Sequence, residues 1–113
     1  MNLKATEYQE SKALTEYLLR RRLTFLHVPN EGRRSWQTGR MLKAMGMWKG
    51  APDYLIFNRP QNGVGVAIEL KRAGGRLSPE QKQWLLDLKA LGWVAHVAFG
   101  AGAAIKIVEG EYG

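Results

Sequence analysis

The four residues Ser78-Pro79-Glu80-Gln81 stand between two apolar runs, and that placement limits what the chain can fold into. A Ser at the N-cap, a Pro at the first helical position and a Gln at the third mark the start of a helix. Trp84, Leu85, Leu88 and Leu91 give that helix an apolar face, and Gly92 stops it. The flanking runs, residues 64–71 and 93–99, read as β-strands. A strand, a helix and a strand in this order need a crossover connection, which places the chain in the α/β class.

The remaining segments extend that unit. Residues 6–22 read as a helix, with Thr6 as N-cap, Gln9 as its capping-box partner and a stripe of Ala13, Leu14, Tyr17 and Leu18. Residues 24–28 form a short strand stopped by Pro29-Asn30-Glu31-Gly32. A short helix is predicted over 39–47. A strand over 53–57 follows, joined to the strand over 65–71 by the turn-rich residues 58–63. A terminal helix is predicted over 103–108. The expected order is α-β-β-β-α-β in one domain spanning residues 1–113, with a small mixed sheet flanked by helices. Its first three strands form a meander.

Composition narrows the chemistry. The chain has no Cys, which excludes disulfides and thiolate zinc sites. It has no apolar run near the roughly 20 residues of a membrane span, and no apolar stretch follows Met1-Asn2-Leu3-Lys4, so neither a membrane span nor a secretory signal is expected. Gly63-x-Gly65 and Gly74-Gly75 lack the Lys-Ser/Thr of a phosphate-binding loop, so no nucleotide cofactor is expected. A net charge of +7 over 113 residues favours a polyanionic partner.

Asp53 opens one strand, and Glu69 and Lys71 lie on one face near the end of the next. Antiparallel pairing of the two strands brings these ends together. The Asp53 and Glu69 carboxylates, with the backbone carbonyl of Leu70, form a set of hard oxygen donors suited to Mg²⁺ or Mn²⁺. Such a cation activates water and stabilises charge on a phosphate, and Lys71 orients the water or neutralises developing charge. An isolated Glu-x-Lys is more often a solvated pair at a strand end. The preceding Pro-Asp, the turn after Lys71 and the basic charge favour the chemical reading, a phosphodiester-cleaving site. Arg33, Arg34, Trp36, Arg40, Lys43 and Lys49 combine basic side chains with an aromatic, as DNA contacts do, and Arg72 and Arg76 lie near the proposed site. His27 and His96 lack metal-ligand spacing and read as packed or partly exposed histidines.

Asn30-Glu31-Gly32, Gly46-x-x-x-Gly50-x-Pro52-Asp53-Tyr54, Ile68-Glu69-Leu70-Lys71 and Leu77-Ser78-Pro79-Glu80-Gln81 together resemble the VRR-NUC domain, the virus-type replication-repair branch of the PD-(D/E)xK nucleases. The resemblance runs from Thr6 to about Phe99. It implies a restriction-endonuclease-like fold and a Mg²⁺- or Mn²⁺-dependent endodeoxyribonuclease. It also implies a homodimer cutting branched DNA, including four-way junctions, in the cytoplasm of a bacterial or phage-infected cell. Its catalytic positions map onto Asp53, Glu69, Lys71, Glu7 and Gln81, with Glu7 a further candidate metal ligand. Glu7 shares a helical stripe with Ser11, Leu14 and Leu18, which predicts an inward carboxylate; Glu10 lies near the same face. Gln81 reads equally as a site residue and as a capping-box residue. Set against the nuclease are a basic module that binds DNA without cutting it and a nuclease acting on flaps or RNA.

Overall fold

The computed structural model describes residues 6–28 and 36–113, with residues 36–38 described by their backbone alone. The elements are α1 (Glu7–Arg20), β1 (Phe25–His27), α2 (Trp36–Ala44), β2 (Tyr54–Ile56), β3 (Val66–Lys71), α3 (Pro79–Ala90), β4 (Val94–Phe99) and α4 (Ala101–Tyr112). The four strands form one mixed sheet in the order β1-β2-β3-β4. Both β1/β2 and β2/β3 are antiparallel, and β3/β4 is parallel, as the crossover through α3 requires. No helix among the described residues is long and apolar enough to cross a membrane.

Alternation along the strands divides the core in two. Tyr54, Ile56, Val66 and Ile68 face Leu14 and Leu18 of α1 and Ala101, Ala104 and Val108 of α4. Ala67 and Ala95 face Leu85 and Leu88 of α3. The sheet is therefore the middle of three layers, and Glu69, two residues after Ala67, looks toward α3.

Several expectations are corrected. Ala13 is exposed, so the buried stripe of α1 is narrower than predicted and centres on Leu14 and Leu18. Leu91 is also exposed, because it caps α3 as the chain reverses at Gly92, rather than extending the buried face. The expected helix over 39–47 runs instead from Trp36 to Ala44. The terminal helix is longer than residues 103–108 because its start depends on a distant residue. The Glu10 carboxylate accepts a hydrogen bond from the Ala101 N–H, a first-turn donor with no partner inside the helix. Gly100 makes this approach possible, since it adopts φ +97° and a Cβ there would lie 2.8 Å from Glu10 Oε2.

Gly50 has a comparable role before Pro52-Asp53. Its φ is +88°, and a Cβ would lie 2.8 Å from the Glu80 Cβ. The chain thus passes directly over the first turn of α3 on its way into β2. The Trp84 indole N–H fixes this passage by donating to the Lys49 carbonyl at 3.0 Å.

Candidate active site

The antiparallel register pairs Tyr54 with Ile68, which sets Asp53 opposite Glu69 at the open end of β2 and β3. Asp53 is held from two sides. Its backbone carbonyl accepts a hydrogen bond from the Val28 N–H at 2.7 Å. Its carboxylate accepts one from the Leu70 N–H, also at 2.7 Å. The N–H and C=O of one strand residue leave by the same edge, so the Leu70 carbonyl lies on the Asp53 side of β3.

Glu69 is only 2% exposed. Gln81 Nε2 donates to Glu69 Oε2 at 3.1 Å. The other end of the same amide, Oε1, accepts from the Ser78 N–H at 2.8 Å, while Ser78 Oγ accepts from the Gln81 N–H at 3.1 Å. Gln81 therefore does both things the sequence left open: it closes the capping box and reaches Glu69. Ser78→Ala is expected to cost about 1 kcal/mol through the lost cap. It keeps the backbone N–H that the Gln81 amide oxygen accepts from, so a lower urea midpoint with little change in turnover is expected.

Lys71 Nζ lies 3.9 Å from Glu69 Oε2. This is too long for a tight ion pair, and it does not offset the burial. Desolvation, with the Asp53 carboxylate adding to it, pushes the Glu69 carboxyl up from 4.5 to about 8 despite Lys71. Two juxtaposed carboxylates, one of them buried, fit a divalent cation, whose charge would relieve both the burial and the repulsion. Among the described residues no group of three His, Cys, Asp or Glu side chains converges. The Asp53 and Glu69 carboxylates and the Leu70 carbonyl are the candidate oxygen donors at this end of the sheet.

The raised Glu69 carboxyl has a measurable consequence. Between about pH 4.5 and pH 8 the folded protein holds a proton that the unfolded chain has released. Stability from this group therefore falls as pH rises through that window. The Tm of the metal-free protein, compared with Glu69→Gln, is expected to decline from pH 5 to pH 8. Mn²⁺ competes with the same proton, so the Tm gain on adding Mn²⁺ is expected to be larger at pH 8 than at pH 6.

A cleft of about 370 Å³ opens at this end of the sheet. It is lined by Glu7, Tyr8 and Ser11 of α1, His27 of β1, Asp53, and residues 69–72. The expected inward Glu7 is corrected: its side chain is 79% exposed, and its carboxylate lies 3.6 Å from Arg72 Nε at the cleft rim. The reason is its place in the first turn, directly after the Thr6 cap and beyond the end of the core. Glu10, which shares its neighbourhood, is committed to α4.

His27, which carries no metal-ligand spacing in the sequence, lies in the cleft. Its ring stacks on Tyr54 with centroids 4.4 Å apart and planes 9° apart. The register signal was available, because an antiparallel β1/β2 pair sets His27 opposite Tyr54, next to Asp53. His96 lies elsewhere, 3.4 Å from Glu111 Oε1.

Of the basic candidates, Arg40, Lys43, Lys49, Arg72 and Arg76 are exposed. Lys43 Nζ sits 5.2 Å from the centre of the Trp48 ring, and Lys49 Nζ is 3.8 Å from Glu80 Oε1. Arg33, Arg34 and the Asn30-Glu31-Gly32 motif lie outside the described residues, as does the side chain of Trp36.

A family model of the VRR-NUC domain matches residues 5–102. Among solved structures, a chain described as a VRR_NUC domain protein superposes with a TM-score of 0.78 at 23% identity, covering 93% of this chain and 86% of its own length. At that identity the likeness speaks for the fold. No curated protein sequence matches.

Proposed function

Since the chain belongs to the VRR-NUC domain family, nucleases of the PD-(D/E)xK type, we propose that it is a divalent-metal-dependent endonuclease that hydrolyses phosphodiester bonds in branched DNA as a homodimer. The observation that carries this reading is the buried Glu69, turned toward Asp53 and held by Gln81, at the end of a cleft in a basic chain. A module that only binds DNA gains nothing from a buried carboxylate, which costs stability without a partner.

In this mechanism Asp53, Glu69 and the Leu70 carbonyl would hold Mg²⁺ or Mn²⁺. When bound, the ion would supply a nucleophilic water at neutral pH and neutralise charge on the phosphate. Leu70 N–H keeps the Asp53 carboxylate aimed at the site, and Gln81 keeps Glu69 in a single orientation. Lys71, half-buried beside Glu69, carries the positive charge that faces the developing phosphorane and aligns the attacking water. Arg72 and Arg76 grip flanking phosphates. Arg40, Lys43 and Lys49, with Arg33, Arg34 and Trp36, extend the contact along the DNA. Two copies related by a two-fold axis place two sites on two strands of a four-way junction, a substrate of matching symmetry.

The test is incubation with labelled four-way junction, flap, duplex and single-stranded DNA in Mg²⁺ or Mn²⁺. Paired cuts in opposing strands of the junction, with little cutting of duplex, are expected. Binding of all four DNAs with no cutting would instead favour a non-catalytic module.

A further inference from the structure

The α1 side of the cleft is built differently from the metal-holding side. His27 shares a sheet face with Tyr54, away from Glu69. Tyr54 is fully buried and fixed at its hydroxyl, which donates to the Ser11 carbonyl at 3.0 Å and lies 2.9 Å from Thr15 Oγ1. The imidazole lies flat on this immobile ring, and the residue is exposed. Tyr8, 72% exposed, lines the same cleft from the first turn of α1. Arg72 lines it from the end of β3. Two aromatic rings and a guanidinium plane thus border a space that is continuous with Asp53.

Planar π-faces at a phosphate-handling site suit a nucleobase, because stacking on an aromatic needs no particular base. A base within a duplex cannot enter such a space without leaving its stack, a cost that is smallest where the base is already unpaired. We infer that Tyr8 and the imidazole of His27, which line one cleft with Asp53, border a nucleobase-binding subsite that accepts an unpaired base next to the scissile phosphate. The inference rests on the nuclease reading of the same cleft, and it makes an unpaired nucleotide at the branch the feature that is recognised. The stacked pair serves as a prebuilt aromatic border and Tyr8 as the exposed ring that a base stacks on, while Arg72 marks where the base's own phosphate leaves toward Lys71.

The test compares two branched DNA probes that differ at one unpaired branch-point position, which carries either adenine or an abasic site. Kd is measured in EDTA, where no cutting occurs. The wild-type protein is expected to bind the adenine probe tighter by on the order of tenfold, the scale of one stacked base. Tyr8→Ala should collapse that ratio toward one, and Tyr8→Phe should keep it. Tyr8 is exposed, so its loss leaves the core intact. Equal affinities for the two probes in the wild type, or a Tyr8→Ala variant weakened equally on both, overturn the subsite. Cutting of the adenine probe in Mg²⁺ is scored separately, so a failed nuclease reading is not mistaken for a failed base subsite.

Discussion

Replacing Glu69 with glutamine is expected to lower cleavage by on the order of a thousandfold or more, the scale for removing one member of a catalytic unit. The same change is expected to leave the metal-free fold as stable as before or more so. Both effects come from one charge. Glutamine has nearly the same shape and retains an oxygen for the Gln81 amide, which now donates to Glu69 Oε2 at 3.1 Å. The variant is uncharged, as the metal-free Glu69 carboxyl is below about pH 8, and above that pH it is spared the ionisation that burial and Asp53 oppose. Removing an unfavourable buried charge is neutral or stabilising. Losing one of the two carboxylate charges leaves too weak a hold on a divalent cation. A lower Tm together with lower activity would point to a purely structural Glu69. Lost activity with an unchanged or raised Tm points to a site residue. Junction affinity in EDTA should be largely retained, because the basic contacts lie outside this carboxylate.

Lys71→Met is expected to reduce kcat by roughly a hundred- to a thousandfold, the effect of deleting one charged stabiliser of a transition state. KM should change little, because many other cations contribute to DNA binding. Methionine keeps most of the side chain's apolar length, so the half-buried stem still packs. Lys71 Nζ is 3.9 Å from Glu69 Oε2, loosely placed with respect to the carboxylate. That looseness fits a group whose strongest interaction forms only in the transition state. Lys71→Arg should restore part of the rate, since it returns the charge in a different shape. A variant that raises KM at constant kcat would assign Lys71 to simple phosphate binding.

Much of this architecture was legible because local and global signals agreed. The capping box at Ser78 and Gln81, the Thr6 cap and the alternating strands each specify their own element. Antiparallel pairing alone brought Asp53 to Glu69. What was not legible depended on contacts distant in sequence. The start of α4 rests on Glu10, 91 positions away from the N–H it caps, and no pattern within residues 100–113 contains that partner. The inward Glu7 failed for a related reason: a helical wheel gives direction around the axis but not where the core ends along it. A lone histidine carries no spacing signal, so the place of His27 in the cleft follows only from register and from the Tyr54 ring beneath it. Gln81 shows the opposite case, where two readings that looked exclusive are satisfied by the two ends of one amide.

Asp53, Glu69 and Leu70 are proposed to hold a divalent ion that cleavage of DNA requires. The most direct measurement follows a labelled four-way junction under single-turnover conditions in three samples: protein with Mn²⁺, protein with excess EDTA, and the EDTA sample with Mn²⁺ restored beyond the chelator. Product in the first and third samples and none in the second is the predicted result. Product at the same rate in the fully chelated sample would rule out a metal-dependent mechanism.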